Sequence, residues 1–103
     1  MLILVIEPTF PGCLVVARPI GLLKMLDEGK VDDKVLAVPV GEPAFEQISD
    51  YTEMFPHTIR KISHFFDTYK MLEGKQTKIL GWEDAQAARD VIVESAKRFR
   101  DNP

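Results

Sequence analysis

Cysteine is nearly absent. The 103 residues hold one, Cys13, so neither an intrachain disulfide nor a cysteine-rich zinc site is available. Long apolar runs are missing as well: the opening stretch Met1–Ile6 lacks a basic flank and stops at Glu7-Pro8, which is not the pattern of a secretory signal. Nothing approaches the roughly 20 apolar residues that span a bilayer. Positive charge is not in excess either, since 13 Lys and Arg stand against 16 Asp and Glu for a formal net charge of −3. Proteins that bind by neutralising nucleic-acid phosphates carry the opposite balance, and no basic aromatic face for stacking oligonucleotides is visible. Glycine-rich phosphate loops and Ser-His-Asp patterns are absent. What is present, 46% hydrophobic and 28% charged residues, suits a folded chain rather than a disordered one. The expectation is a single domain over 1–103, soluble and cytoplasmic, meeting neither nucleic acid nor membrane.

The first 41 residues read as strands and the remainder as mostly helix. Leu2 to Ile6 is a continuous apolar run, followed by a turn at Glu7–Gly12 and a second run, Cys13 to Ala17. Pro19 and Gly21 mark a bend before Leu22–Leu26. Asp27–Lys34 reads as a charged loop, and Val35–Val40 as a strand in which Pro39 suggests an edge or a bulge. Pro43–Ile48 reads as a short helix and Ser49–Met54 as a turn. Pro56 suits a first helical position, and Ile59, Ile62, Phe66 and Tyr69, widened by Phe65 and Leu72, make an apolar stripe up to Gly74. Thr77–Leu80 reads as a last strand, with Trp82 beside a final helix. Ala85, Ala88, Ile92, Ala96 and Phe99 line one face of that helix. Leu2–Ile6 does not alternate, so it reads as a strand covered on both faces, or a central one. With few elements to pair its edges, the chain is expected to self-associate through them.

Two segments could carry chemistry. Asp27-Glu28-Gly29-Lys30-Val31-Asp32-Asp33-Lys34 packs four carboxylates into eight residues. Hard cations such as magnesium take oxygen ligands and keep several waters, so one or two carboxylates suffice. Gly29 would let the segment turn and bring Asp27 toward Asp32, with Lys34 free for a phosphate oxygen. A solvated loop explains the same residues. An EF-hand does not fit, because Val38 falls at its bidentate glutamate position. Tyr69 and Lys70 could both donate to a phosphate; equally, Tyr69 could be a core residue with a wet tip and Lys70 a charge on the last helical turn. Arg18 could face a ligand or form a structural ion pair. His57 and His64 read as surface residues, and Cys13 as a buried one.

In order along the chain, Pro8-Thr9-Phe10-Pro11-Gly12-Cys13, Ala17-Arg18-Pro19-Ile20-Gly21, Lys24-Met25-Leu26-Asp27-Glu28, Asp32-Asp33-Lys34-Val35-Leu36-Ala37-Val38-Pro39, His64-Phe65-Phe66 with Tyr69-Lys70, and Leu80-Gly81-Trp82 resemble soluble family I inorganic pyrophosphatases. The resemblance implies an α+β fold with a partial antiparallel β-barrel, OB-like and of the pyrophosphatase type, and two packed α-helices. It implies hydrolysis of diphosphate to two phosphates with Mg2+ as cofactor. Asp27 and Asp32 match metal ligands of the family and Glu28 their acidic neighbour. Lys34, Tyr69 and Lys70 match phosphate-binding residues.

The likeness is to the C-terminal part of the family. Its aspartate-rich run, roughly D-G-D-P-x-D, which brings two more metal ligands and the proton-accepting carboxylate, does not occur in this sequence. No catalytic residue is therefore assigned. The expectation is a truncated relative that is inactive or very weak alone, since such groups act as a unit. The alternative is a diphosphatase that becomes active when completed by an N-terminal segment or across a homo-oligomer interface. The expected partners are diphosphate or phosphate and further copies of the chain.

Overall fold

The computed structural model describes residues 2–5, 16–74 and 76–101, with backbone alone for 2–5 and 70. Its elements are β1 (Leu2–Val5), β2 (Ala17–Asp27), β3 (Lys30–Val31), β4 (Lys34–Pro39), α1 (Pro56–Leu72), β5 (Thr77–Glu83) and α2 (Ala85–Asp101). Two 3-10 turns, Pro43–Phe45 and Tyr51–Glu53, lie between β4 and α1. The turn expected at Glu7–Gly12 and the start of the run at Cys13 fall outside the described residues.

β2 is the spine. It pairs antiparallel with β4 and β3 along one edge and with β5 along the other, while β1 adds to β4 in parallel. The sheet is antiparallel apart from that one pair, and the described strands do not close, which makes it part of a barrel. All seven largest fully buried side chains, Ile20, Leu22, Leu23, Met25, Val35, Leu36 and Val38, come from β2 and β4. Each contributes about 1.5–3 kcal/mol by leaving water. Both faces of these strands are covered. Leu23 and Met25 pack on Phe66 of α1, whereas Leu22 and Val35 pack on Ala88 of α2. That two-sided cover removes the alternation an exposed sheet would show.

Several expectations shift. Pro19 and Gly21 do not divide the strand; β2 runs through both, and the bend is a change of register between them. β4, like β2, is flanked on both sides, whereas β1 pairs among the described residues with β4 alone. Pro39 is tolerated as its last residue, beyond the Lys34–Ala37 stretch that pairs with β1. β5 continues past Gly81 to Glu83, so Trp82 lies within a strand. On α1 the inward face is set by Ile59, Ile62 and Phe66; Phe65 and Leu72, 57% and 82% exposed, turn away from it. On α2 the buried face runs through Ala85, Ala88 and Ile92. It does not reach Ala96 or Phe99, because contacts with the sheet end first.

Polar groups fasten the connection between β4 and α1. The Arg18 guanidinium donates to the carbonyls of Ile48, Phe45 (2.6 Å) and Glu46 (3.2 Å), so among the described residues its partners are backbone carbonyls rather than a carboxylate. Asp50 and Glu53 form a capping box, and the other oxygen of Asp50 accepts the Ala85 N–H at 2.7 Å, thereby capping α2 from a distant segment. Asp84 adds a local cap by accepting the Ala87 N–H at 2.9 Å. Trp82 stacks on Tyr51 with ring centroids 5.4 Å apart, and its Nε1 donates to Ser63 Oγ at 2.8 Å. Tyr51 in turn lies against Gly21, where an added Cβ would stand 2.8 Å from the Tyr51 Cβ.

Gly21→Ala is expected to cost about 1–3 kcal/mol in urea unfolding followed by circular dichroism, because Tyr51 would have to move; no loss would show the contact to be slack. Burial pushes the Asp50 carboxyl up, but hydrogen bonds from Ala85 and Thr52, helped by the Arg89 charge, outweigh it and hold the group below its usual range. A pKa lowered by folding gives stability that is present above the unfolded value and lost as pH falls through the folded one. Asp50→Ala is therefore expected to cost about 1 kcal/mol at pH 7. Its deficit against the wild type should hold steady down to the carboxylate range and close below it; a deficit that persists unchanged below that range would refute the charge argument.

Candidate functional site

The segment expected as a charged loop is a hairpin. Asp27 pairs with Lys30, leaving Glu28 and Gly29 as a two-residue turn with φ of 53° and 81°. Positive φ at both central positions matches the right-handed twist of the flanking strands, and Gly29 takes it without strain. The Glu28 N–H donates to the Gln76 carbonyl at 2.7 Å, which ties the turn to the start of β5. Glu28 itself is exposed at the tip.

The register of this hairpin places the charges. Leu26 opposes Val31 and Leu23 opposes Lys34, and between them the Asp32 N–H donates to the Met25 carbonyl at 2.9 Å. Side chains alternate along a strand, so Asp27, Met25 and Leu23 share one face of β2, and Lys30, Asp32 and Lys34 share the same face of the neighbouring chain. Asp27 and Asp32 are thus diagonal neighbours on one face. The pleat sends Asp33 to the other face, where its Oδ1 is buried and has no hydrogen-bond partner among the described residues.

Lys34 is the one buried charged residue among those described. Its Nζ lies 2.7 Å from Asp32 Oδ1, with side chains 8% and 23% exposed. Beneath it is the Phe66 ring, whose centroid is 5.7 Å from Nζ, within range of a cation–π attraction. Phe66 meets Phe65 edge-on at 5.2 Å, and Phe65 stacks on Tyr69 at 5.6 Å. Three rings therefore run from the buried ammonium to Tyr69, which borders an open hollow of about 340 Å³ together with Lys61, His64 and Leu72. Tyr69 is 46% exposed, so its place at the end of the apolar stripe is a half-wet one. The Lys70 side chain lies outside the described residues. His57 and His64 are exposed.

The structure brings Asp27, Asp32 and Lys34 together on one face and joins Tyr69 to them through Phe66 and Phe65. It holds Glu28 at the turn. Phe66 is the residue that the sequence reading missed as part of the site; its position in the apolar stripe marked it only as core. Among the described residues no three His, Cys, Asp or Glu side chains converge as a metal cluster. No described helix is long and apolar enough to cross a membrane.

A family model described as Inorganic pyrophosphatase matches residues 1–100. An inorganic pyrophosphatase of Haloferax volcanii is 48% identical over 103 residues, which is 99% of this chain and 58% of that protein. One from a Nostoc species is 41% identical over 99 residues, 96% of this chain and 59% of that protein. Among solved structures, the Helicobacter pylori inorganic pyrophosphatase superimposes with a TM-score of 0.89 at 35% identity, over 95% of this chain and 61% of that one. The Coxiella burnetii structure gives 0.78 at 43% identity, over 85% and 55%. The chain thus spans somewhat under two thirds of the length of the relatives it matches.

Asp32→Asn keeps the shape of the side chain while stripping the counter-ion from a buried ammonium. It is expected to cost about 1–3 kcal/mol in urea unfolding, less than for a wholly buried pair because Asp32 retains some water; unchanged stability would mean that Lys34 is neutralised by another group.

Proposed function

The chain belongs to the inorganic pyrophosphatase family, and on that premise we propose that residues 1–103 form one wall of a magnesium-dependent site that hydrolyses diphosphate to two phosphates. Asp27 and Asp32 hold metal, with Glu28 as their acidic neighbour at the turn. Lys34, Tyr69 and Lys70 hold the phosphates. The observation that carries this reading is the shared face of Asp27, Asp32 and Lys34, with a buried ammonium 2.7 Å from a carboxylate.

The donor set fits magnesium. Both ligands offer hard carboxylate oxygens, and this ion is commonly bound through one or two carboxylates with water and substrate phosphate completing the shell. When bound, such an ion neutralises phosphate charge and lowers the pKa of a bound water. The chain's own groups position the substrate. An ammonium sheltered from water exerts a stronger pull on an anion than an exposed one, because the surrounding dielectric is lower. The Tyr69 hydroxyl and Lys70 add donors from the end of α1.

The 103 residues offer no assigned carboxylate to take the proton from the attacking water. By themselves they are proposed to turn over diphosphate weakly or not at all. A second reading is favoured by β1, which pairs with β4 along one edge and with no other strand among the described residues. That edge can receive a further strand, so the site is completed either by an N-terminal segment or by another copy of the chain.

Phosphate release from magnesium pyrophosphate tests this directly, with and without an added N-terminal segment from a relative. Release near background for the chain alone and a rise on addition is the expected result. Rapid turnover by the chain alone would overturn the claim of weakness, and silence in both arms would overturn completion by an added segment.

A further inference from the structure

Lys34 carries its charge where charge is costly. Its side chain is 8% exposed, and among the described residues its one counter-ion is Asp32. The carboxylate that accepts from the ammonium through Oδ1 is also the one proposed to ligate metal, and a cation drawn to it meets the like charge of the ammonium 2.7 Å away. We propose that Lys34 and a divalent cation exchange at Asp32. Without metal, the ammonium occupies the carboxylate; metal entry displaces it, and the freed ammonium then binds phosphate. Divalent cation and phosphate consequently bind with positive coupling. The proposal rests on the reading of Asp32 as metal ligand and Lys34 as phosphate ligand, and it adds how the two are linked.

Charge counting gives the direction. The resting pair is neutral. A divalent ion held by Asp32 and Asp27 is balanced by those two carboxylates and leaves one net positive charge, the buried ammonium stripped of its partner, and an uncompensated buried charge is strongly unfavourable. A phosphate anion restores compensation. Phosphate arriving first meets an ammonium already engaged by a carboxylate, so it gains little. Each ligand therefore makes the other's partner available, and linkage requires the effect to be reciprocal. Phe66 makes the exchange feasible. Its ring lies 5.7 Å from Nζ and gives the displaced ammonium an attractive surface that does not compete with metal or phosphate for the same atoms.

The test is Mn2+ binding to the 103-residue chain, read from the electron paramagnetic resonance signal of free Mn2+. Titrations are run with and without inorganic phosphate and corrected for Mn2+–phosphate complexes in solution. Phosphate is expected to tighten Mn2+ binding about tenfold, within the range usual for coupled sites. Lys34→Met, which removes the competitor, is expected to bind Mn2+ about fivefold more tightly than wild type without phosphate and to lose most of the phosphate effect. Equal or weaker Mn2+ binding by Lys34→Met, or a phosphate effect retained in full, would overturn the exchange while leaving the metal site intact. Absence of Mn2+ binding in both forms would instead overturn the site itself. If Lys34→Met fails to fold, the wild-type chain still decides. The 15N resonance of the Lys34 ammonium is expected to shift when Mg2+ is added without phosphate, and a resonance that stays put while Mg2+ binds would refute the displacement.

Discussion

The antiparallel ladder between β2 and β4 is the constraint on which the site depends. Its register sets Leu23 opposite Lys34 and continues across Asp32 to the β2–β3 hairpin. A slip of one residue would exchange the faces of every side chain on the moving strand. Asp32 and Lys34 would then point toward α2, and Asp33 and Val35 toward α1. Burial on both faces makes that slip prohibitive, because Leu22 and Val35 are as deeply enclosed as Leu23 and Leu36. The packing that stabilises the sheet is therefore also what aims the charged row.

Given that register, the local chemistry has little freedom. Carboxylates at Asp27 and Asp32 and ammonium groups at Lys30 and Lys34 alternate on one face of the sheet. Lys30 beside the hairpin tip is exposed, Asp27 and Asp32 are half-buried, and Lys34 nearest the middle of the sheet is buried. Electrostatic interactions strengthen along that gradient as water thins out. Lys34 sits at the dry end, over the ring of Phe66, where a change in its pairing has the largest energetic effect. Tyr69 sits at the outer end of the aromatic row, beside an open hollow. Polar tips are thus graded from enclosed to exposed along a single line.

Parts of this were plain in the sequence for physical reasons. α1 was legible because Pro56 starts it, Gly74 follows it, and Ile59, Ile62 and Phe66 repeat at helical spacing. The aspartates and Lys34 stood out through their resemblance to a family motif, and the strand register sets Asp27, Asp32 and Lys34 on one face. The hairpin was not legible, since Glu28-Gly29 lacks the asparagine or aspartate that usually precedes glycine in such turns, and dense charge looks like a loop. The outward turn of Phe65 and Leu72 was not legible either. Both satisfy the period of the stripe, but the sheet is wide enough to cover only its centre. The role of Phe66 under Lys34 joins residues more than thirty positions apart, which no local pattern reports.

Trp82 is the sole tryptophan of the chain, and its surroundings come from three separate elements: Tyr51 on the 3-10 turn, Ser63 on α1, and its own strand paired with Leu23. Its indole nitrogen is engaged and one face is stacked. The intrinsic emission of the protein is thus a built-in optical gauge of how firmly α1 and the 3-10 turn are seated on the sheet. The charged row has no tryptophan of its own, so that emission reports the seating of the helix directly and the charged face only through Phe66, which shares a core cluster with Trp82.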